Sequence, residues 1–219
     1  MIIMILMKIK KELLIPSIAT VLVYLLSYQI PKLVVDINRA HYPSIELDYK
    51  IPFIPIFIII YILAFFQWLN AALVITTQDK KFAYRYLSAI MIGSLIGLTI
   101  YIVYPTAINN RPTIYSTNPL LSFIDFIYTV DTPINALPSF HCFCSTISYF
   151  IIKDAKLDKK YQITNLIFSI MVFLSTLFTK QHFILDVFSG ILLALLSVCI
   201  SKEYQFNKLF DYLNKKLIA

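Results

Sequence analysis

This chain has little charge. Only 14% of its 219 residues are Asp, Glu, Lys or Arg, where soluble domains carry about 25%. The 59% that are hydrophobic are more than a water-soluble core can absorb. A soluble globular fold is therefore excluded. Cysteine is scarce too: Cys142, Cys144 and Cys199 lie in apolar segments without the four-ligand spacing of a structural zinc site, and they read as packing residues. Lysines and arginines are scattered among loops and form no stripe with interleaved aromatics, so the net charge of +7 does not indicate nucleic acid. Carboxylates never cluster. The segments with the unusual polar residues offer only Asp125, Asp131 and Asp186, too few for a Mg²⁺ site, and neither a metal nor another cofactor is expected. Residues 1–7 are apolar, but no basic region precedes them and no small-residue cleavage pattern follows, so they do not read as a secretory signal peptide. Internal repeats and low-complexity linkers are also missing, which leaves one domain over 1–219.

What is present is a series of long apolar runs. Several reach the roughly 20 residues that a helix needs to cross about 30 Å of hydrocarbon. Backbone groups in lipid must pair internally, so the choices are a helix bundle or a closed barrel, and continuous apolar runs without alternation select the bundle. The pattern predicts an all-α polytopic membrane protein with six transmembrane helices, near 13–30, 51–75, 86–104, 139–152, 163–178 and 183–200. The fourth is short for a span, which suits a helix that starts at the membrane surface or dips its polar end into a cavity. Little more than Thr179, Lys180 and Gln181 separates the last two, room only for a tight turn between antiparallel helices. Of the 19 Lys and Arg, 14 fall before the first run, after the second, after the fourth and in the tail. The positive-inside rule then places both termini in the cytoplasm and the loops 31–50, 105–138 and 179–182 outside, as for a protein of the cell membrane.

The outward loops hold the chemistry-bearing residues. Arg111 and Pro112 follow the third run, Pro138-Ser139-Phe140-His141 opens the fourth, and His182 with Asp186 opens the sixth. Ionisable residues at such depth are expensive and function-bearing by default. His182 and Asp186 are four apart, so on a helix they share a face. The carboxylate can then fix the imidazole tautomer and raise the basicity of the other nitrogen, as a nucleophilic histidine requires. His141 falls in a first helical turn, after a proline suited to the first helical position and beside the hydroxyl of Ser139, where a helix N-terminus attracts anions. Arg111 adds a permanent cation whose planar fork matches phosphate.

The order and spacing of Arg111-Pro112, Pro138 to His141, Ser175, His182 and Asp186 resemble the type 2 phosphatidic acid phosphatase superfamily, whose pattern is K-x6-R-P, then P-S-x-H, then S-R-x5-H-x3-D. The match covers 104–186, and the six-span layout extends it to nearly the whole chain. The resemblance implies an integral membrane lipid phosphatase or phosphotransferase whose partners are the bilayer and a membrane lipid phosphate. It implies that His182 is the nucleophile that forms a phosphohistidine, that Asp186 orients it, and that His141 is the general acid for the leaving group. Arg111 and Ser139, with Ser175, would bind phosphate.

Two positions depart from that pattern. Tyr104 stands where the family has Lys, and Thr176 where it has Arg. A site with fewer cations suits a phosphodiester, which carries less charge than a phosphomonoester dianion. The superfamily branch of sphingomyelin synthases and inositol phosphorylceramide synthases is similar in keeping the two His and the Asp while losing much of the basic set. Alternatively Lys180, two residues before His182, replaces a lost charge. A reading of another class is a non-catalytic protein that binds or transports a phosphate lipid on the same scaffold. Other features have plain explanations: Gly93 and Gly97 permit close helix packing, Gln67 and Asn70 share a face and bond to a neighbouring helix, and His41 has no assigned role. Segment 119–128, apolar around Asp125, suits an amphipathic helix in the outer interface near the site.

Overall fold

The computed structural model describes residues 10–115 and 118–218, so the reading of segment 1–7 lies outside the described residues. Regular structure there is helical, in the order α1 (Leu14–Val34), α2 (Glu46–Lys50), α3 (Ile58–Thr77), α4 (Lys80–Val103), α5 (Pro119–Val130), α6 (Phe140–Asp154), α7 (Lys159–Phe178), α8 (Ile184–Ile200) and α9 (Asn207–Ile218), with three short 3-10 turns. Two isolated β-bridges, His41 to Thr106 and Ala107 to Ile134, tie loops together. Helices stand at all six places where the apolar runs fall. Four of them, Lys11–Val34, Pro55–Thr77, Lys80–Val103 and Lys159–Phe178, are long and apolar enough to cross a bilayer. Helix α8 is apolar but only 17 residues long, and α6 has 15, roughly 22 Å at the usual rise.

The outside of the bundle is as apolar as its inside. Leu22, Phe66, Ile167, Phe188 and Leu192 are all more than half exposed, which water would penalise and lipid does not. This is an integral membrane protein. Because lipid tails are themselves apolar, close packing rather than exclusion of water holds such helices together. Gly93 and Gly97 show how: a Cβ at Gly93 would lie 2.2 Å from the Phe143 ring, and one at Gly97 would lie 2.4 Å from the Phe140 ring. The two glycines are sockets for aromatic side chains of α6. Gln67 also does what its spacing predicts, donating to Asn165 at 3.1 Å and Ser169 at 2.8 Å on α7, and Asn70 reaches the Tyr161 hydroxyl on the same helix.

Local chemistry sets the helix ends. Asp79, Asn118, Ser139 and Asp158 each accept backbone N–H groups from the first turn of the helix they precede, removing donors that would otherwise be orphaned. Helix α6 consequently begins at Phe140 with Ser139 as its cap, so Pro138 stands one residue before the cap and not at the first helical position. Helix α6 is the central element, packed against α3, α7 and α8. Helix α5 is amphipathic as expected; its Ile124 is buried in a small cluster with Ile58 and Tyr61 of α3.

Candidate active site

Two helix starts meet at one end of the bundle. The Ser139 N–H donates to the Asp186 carbonyl at 3.0 Å, and the Tyr101 hydroxyl holds the Pro138 carbonyl at 2.6 Å. Gly190 makes this approach possible, since a Cβ there would stand 2.3 Å from the Ser139 carbonyl oxygen. In the first turn of α6 the His141 imidazole lies flat on the Tyr61 ring, centroids 3.9 Å apart, and takes edge contacts from Phe65 at 5.8 Å and Trp68 at 5.0 Å. The His182 ring lies 6.3 Å from it.

His182 precedes α8 and sits on the turn that leaves α7. The N–H groups of Gln181 and His182 both donate to the Thr176 carbonyl, at 2.9 and 3.1 Å, and Lys180 takes a positive φ of 53° to close the turn. Asp186, at the third helical position, accepts the Phe183 N–H at 2.7 Å and stands 3.4 Å from His182 Nδ1. The four-residue spacing therefore works through a helix cap rather than a shared helical face. Its physical advantage is that one carboxylate, wholly buried, both fixes the helix start and faces the imidazole.

Arg111 arrives from the loop after α4. Its guanidinium donates to the carbonyls of Asp131 at 2.8 Å and Tyr128 at 3.3 Å, lies over the Tyr128 ring at 4.6 Å, and bonds the Gln181 side-chain carbonyl. Burial pulls this guanidinium below its ordinary value, and Asp131 opposes that pull. Among the described residues several buried polar atoms at this end make no hydrogen bond: His141 Nε2, Arg111 Nε, Gln181 Nε2, Asp186 Oδ1, and His182 Nδ1, whose neighbour is the Asp186 carboxylate at 3.4 Å. A buried donor left unpaired costs roughly 1–3 kcal/mol, and such atoms are rare in folded chains unless a site has a use for them. Donors from the guanidinium and the amide face the needs of an anion.

The other expected residues are placed differently. Ser139 spends its hydroxyl oxygen on the Cys142 N–H at 3.4 Å. Ser175 and Thr176 are fully buried, and each hydroxyl donates to a carbonyl of its own helix, Val172 at 2.7 Å and Phe173 at 2.8 Å. The Lys180 ammonium is turned to the carbonyls of Asp48 at 3.1 Å and Ile51 at 2.6 Å. It clamps the 46–51 segment over the turn. Burial pulls Lys180 below its ordinary value, with Asp48 opposing. Asp48 in turn accepts the Ile184 N–H at 2.7 Å, so it caps α8 from outside. Tyr104 is half exposed and stacks on His41 with centroids 4.4 Å apart. Among the described residues no three His, Cys, Asp or Glu side chains converge as a metal site requires.

Sequence reasoning missed Gln181, Asp131, Lys32 and the tyrosines 28, 61 and 128. Gln181 had a signal, a buried-type polar residue in a three-residue turn next to the histidine. The tyrosines had none, because in a chain with 15 of them nothing local marks the ones that face the site. Asp131 accepts the hydroxyls of Tyr28 and Tyr61, each at 2.6 Å, and pairs with Lys32 at 3.3 Å. Burial would raise its carboxyl, but the facing His141, the two tyrosine hydroxyls and the Lys32 ammonium outweigh that and hold it down at about 2.

Compared with known proteins, residues 44–200 match the family described as the PAP2 superfamily. No curated protein and no solved structure is similar enough to match.

Proposed function

The chain belongs to the PAP2 superfamily, and from that premise we propose that it moves the phosphoryl or phosphoryl-headgroup of a lipid phosphate ester through a covalent histidine. The single observation that carries this reading is the pairing of two imidazoles 6.3 Å apart with one carboxylate 3.4 Å from the Nδ1 of His182. That leaves His182 Nε2 as the nucleophile. Its lone pair forms the P–N bond while the ester P–O bond breaks, the electron pair departs on the lipid oxygen, and His141 delivers a proton to that oxygen. Water or a second hydroxyl then attacks phosphorus, gives its proton to His141, and releases His182. Arg111 and Gln181, with the first turn of α6, hold the phosphate oxygens; charge spread over those oxygens is what a phosphoryl-transfer site chiefly has to stabilise. The 3.4 Å separation is long for a hydrogen bond, as catalytic pairs often are before substrate binds.

The decisive experiment is chemical trapping. Enzyme mixed with a lipid phosphate ester and denatured in alkali, where phosphohistidine survives, should carry the added mass on His182 and lose it in His182→Ala. Turnover without any adduct would end the covalent mechanism, and binding without turnover would leave a phosphate-lipid binding protein.

On this reading α1, α3, α4, α6, α7 and α8 all span the membrane, with the site at the outer face and both termini in the cytoplasm. The support is the distribution of Lys and Arg, 14 of 19 in alternate loops. In a cysteine-free variant, a cysteine at Lys81 should label from the cytoplasmic side and one at Thr113 from the outer side. Labelling of Thr113 from the cytoplasm reverses the orientation.

A further inference from the structure

A second ion pair stands at the histidine end. Lys32, in the last turn of α1, lies 3.3 Å from Asp131, and their side chains are only 13% and 21% exposed. The ammonium also sits 4.1 Å above the Tyr28 ring. Asp131 is connected to both halves of the site. Its Oδ2 takes the hydroxyl of Tyr61, whose ring lies on His141. Its backbone carbonyl takes Arg111, which bonds Gln181 next to His182. The hydroxyls of Tyr28 and Tyr61 and the Lys32 ammonium fix this carboxylate in place, while Arg111 holds its backbone. Around the two histidines, then, the cations Arg111, Lys32 and Lys180 stand among the carboxylates Asp131, Asp186 and Asp48. Fixed positive and negative charge balance.

We infer that the Lys32–Asp131 pair sets the charge of the ester that this site accepts, favouring a singly charged phosphodiester over the dianion of a phosphomonoester. The inference rests on the phosphoryl-transfer reading above and adds the substrate class to it. A dianion gains most from unpaired cations and loses most beside a fixed carboxylate, because each interaction scales with the product of the charges. Here Lys32 is already neutralised. Gln181 supplies a donor without charge, its Nε2 buried and unpartnered and its carbonyl oxygen held by Arg111, which suits an oxygen of a monoanion.

Binding can be read without turnover. The chain has one tryptophan, Trp68, and it touches His141, so its fluorescence reports occupancy of the site. The probes are a lipid phosphonate, doubly charged at mildly alkaline pH, and its methyl ester, singly charged with the same chains. Wild-type protein should bind the ester more tightly. Asp131→Asn should shift the affinity ratio toward the dianion by roughly tenfold or more, and Lys32→Gln should shift it the opposite way. Damage to the fold would move both variants in the same direction. A wild-type preference for the dianion, or a ratio that neither substitution moves, overturns the inference. Failure of the phosphoryl-transfer reading looks different: the ratios behave as described, but no lipid ester is turned over and no adduct forms on His182.

Discussion

At the end of the bundle away from the histidines, Lys80 meets Asp211 at 2.6 Å and Arg85 meets Asp154 at 3.5 Å, with side chains 25 to 56% exposed. At the histidine end the Lys32–Asp131 contact of 3.3 Å involves side chains about 13 to 21% exposed; beside it Gln181, His141 and Asp186 are buried and Arg111 is half-buried, each with an atom that makes no hydrogen bond among the described residues. Similar chemical groups behave differently in the two places. Exposed pairs are worth roughly 0–1 kcal/mol and anchor chain ends at the water interface. Buried, incompletely paired groups oppose folding, so their persistence in a close-packed region points to use rather than stability. The comparison teaches that the number of charges says little here and their burial says much.

The largest effect should come from the histidine end. His182→Ala is expected to abolish turnover, and Asp186→Asn to lower kcat by as much as about 10⁴, the loss seen when the orienting carboxylate of a hydrolytic triad is changed. Asp186 also caps α8, and an Asn side chain can still accept the Phe183 N–H, so helix content by circular dichroism should hold. Near-normal kcat in Asp186→Asn would remove the orienting role. Intermediate in size is Gly190→Ala. The added methyl meets a backbone carbonyl at 2.3 Å, so α8 must retreat from α6, with destabilisation of roughly 1–3 kcal/mol and a larger proportional loss of kcat because the two histidines separate. Thermal unfolding in detergent and steady-state kinetics on the same sample check both; unchanged activity would show that the close approach is not needed. The smallest effect belongs to the far end: Lys80→Ala should change stability by less than roughly 1 kcal/mol and leave kcat/KM alone. A large activity change there would break the distinction between the two ends.

Much of the architecture could be read from the chain. The helices fall where the apolar runs fall, and Gly93, Gly97, Gln67 and amphipathic α5 behave as their spacing indicates. Of the expected site residues, His141, His182, Asp186 and Arg111 come together. The spacing argument expected His182 and Asp186 on one helical face; they do meet, but through a helix cap, because helix α8 starts two residues after the histidine. Lys180 was legible as a cation near His182 but not as a clamp on Asp48 and Ile51, since those partners lie about 130 positions earlier.

The sequence by itself determined that the chain belongs in lipid, how its helices divide and which histidines and carboxylate open neighbouring helices. Those properties are local: apolar run length, cap residues and short fixed spacings are written within a turn or two of helix. Tertiary structure alone decided which charges are paired. Lys32 and Asp131 are 99 residues apart and Arg111 and Gln181 are 70 apart, and no local rule couples groups at such separations. They meet because glycines 93, 97 and 190 let α6 seat against α4 and α8 at close range, and that packing brings the loop ends together around two histidines.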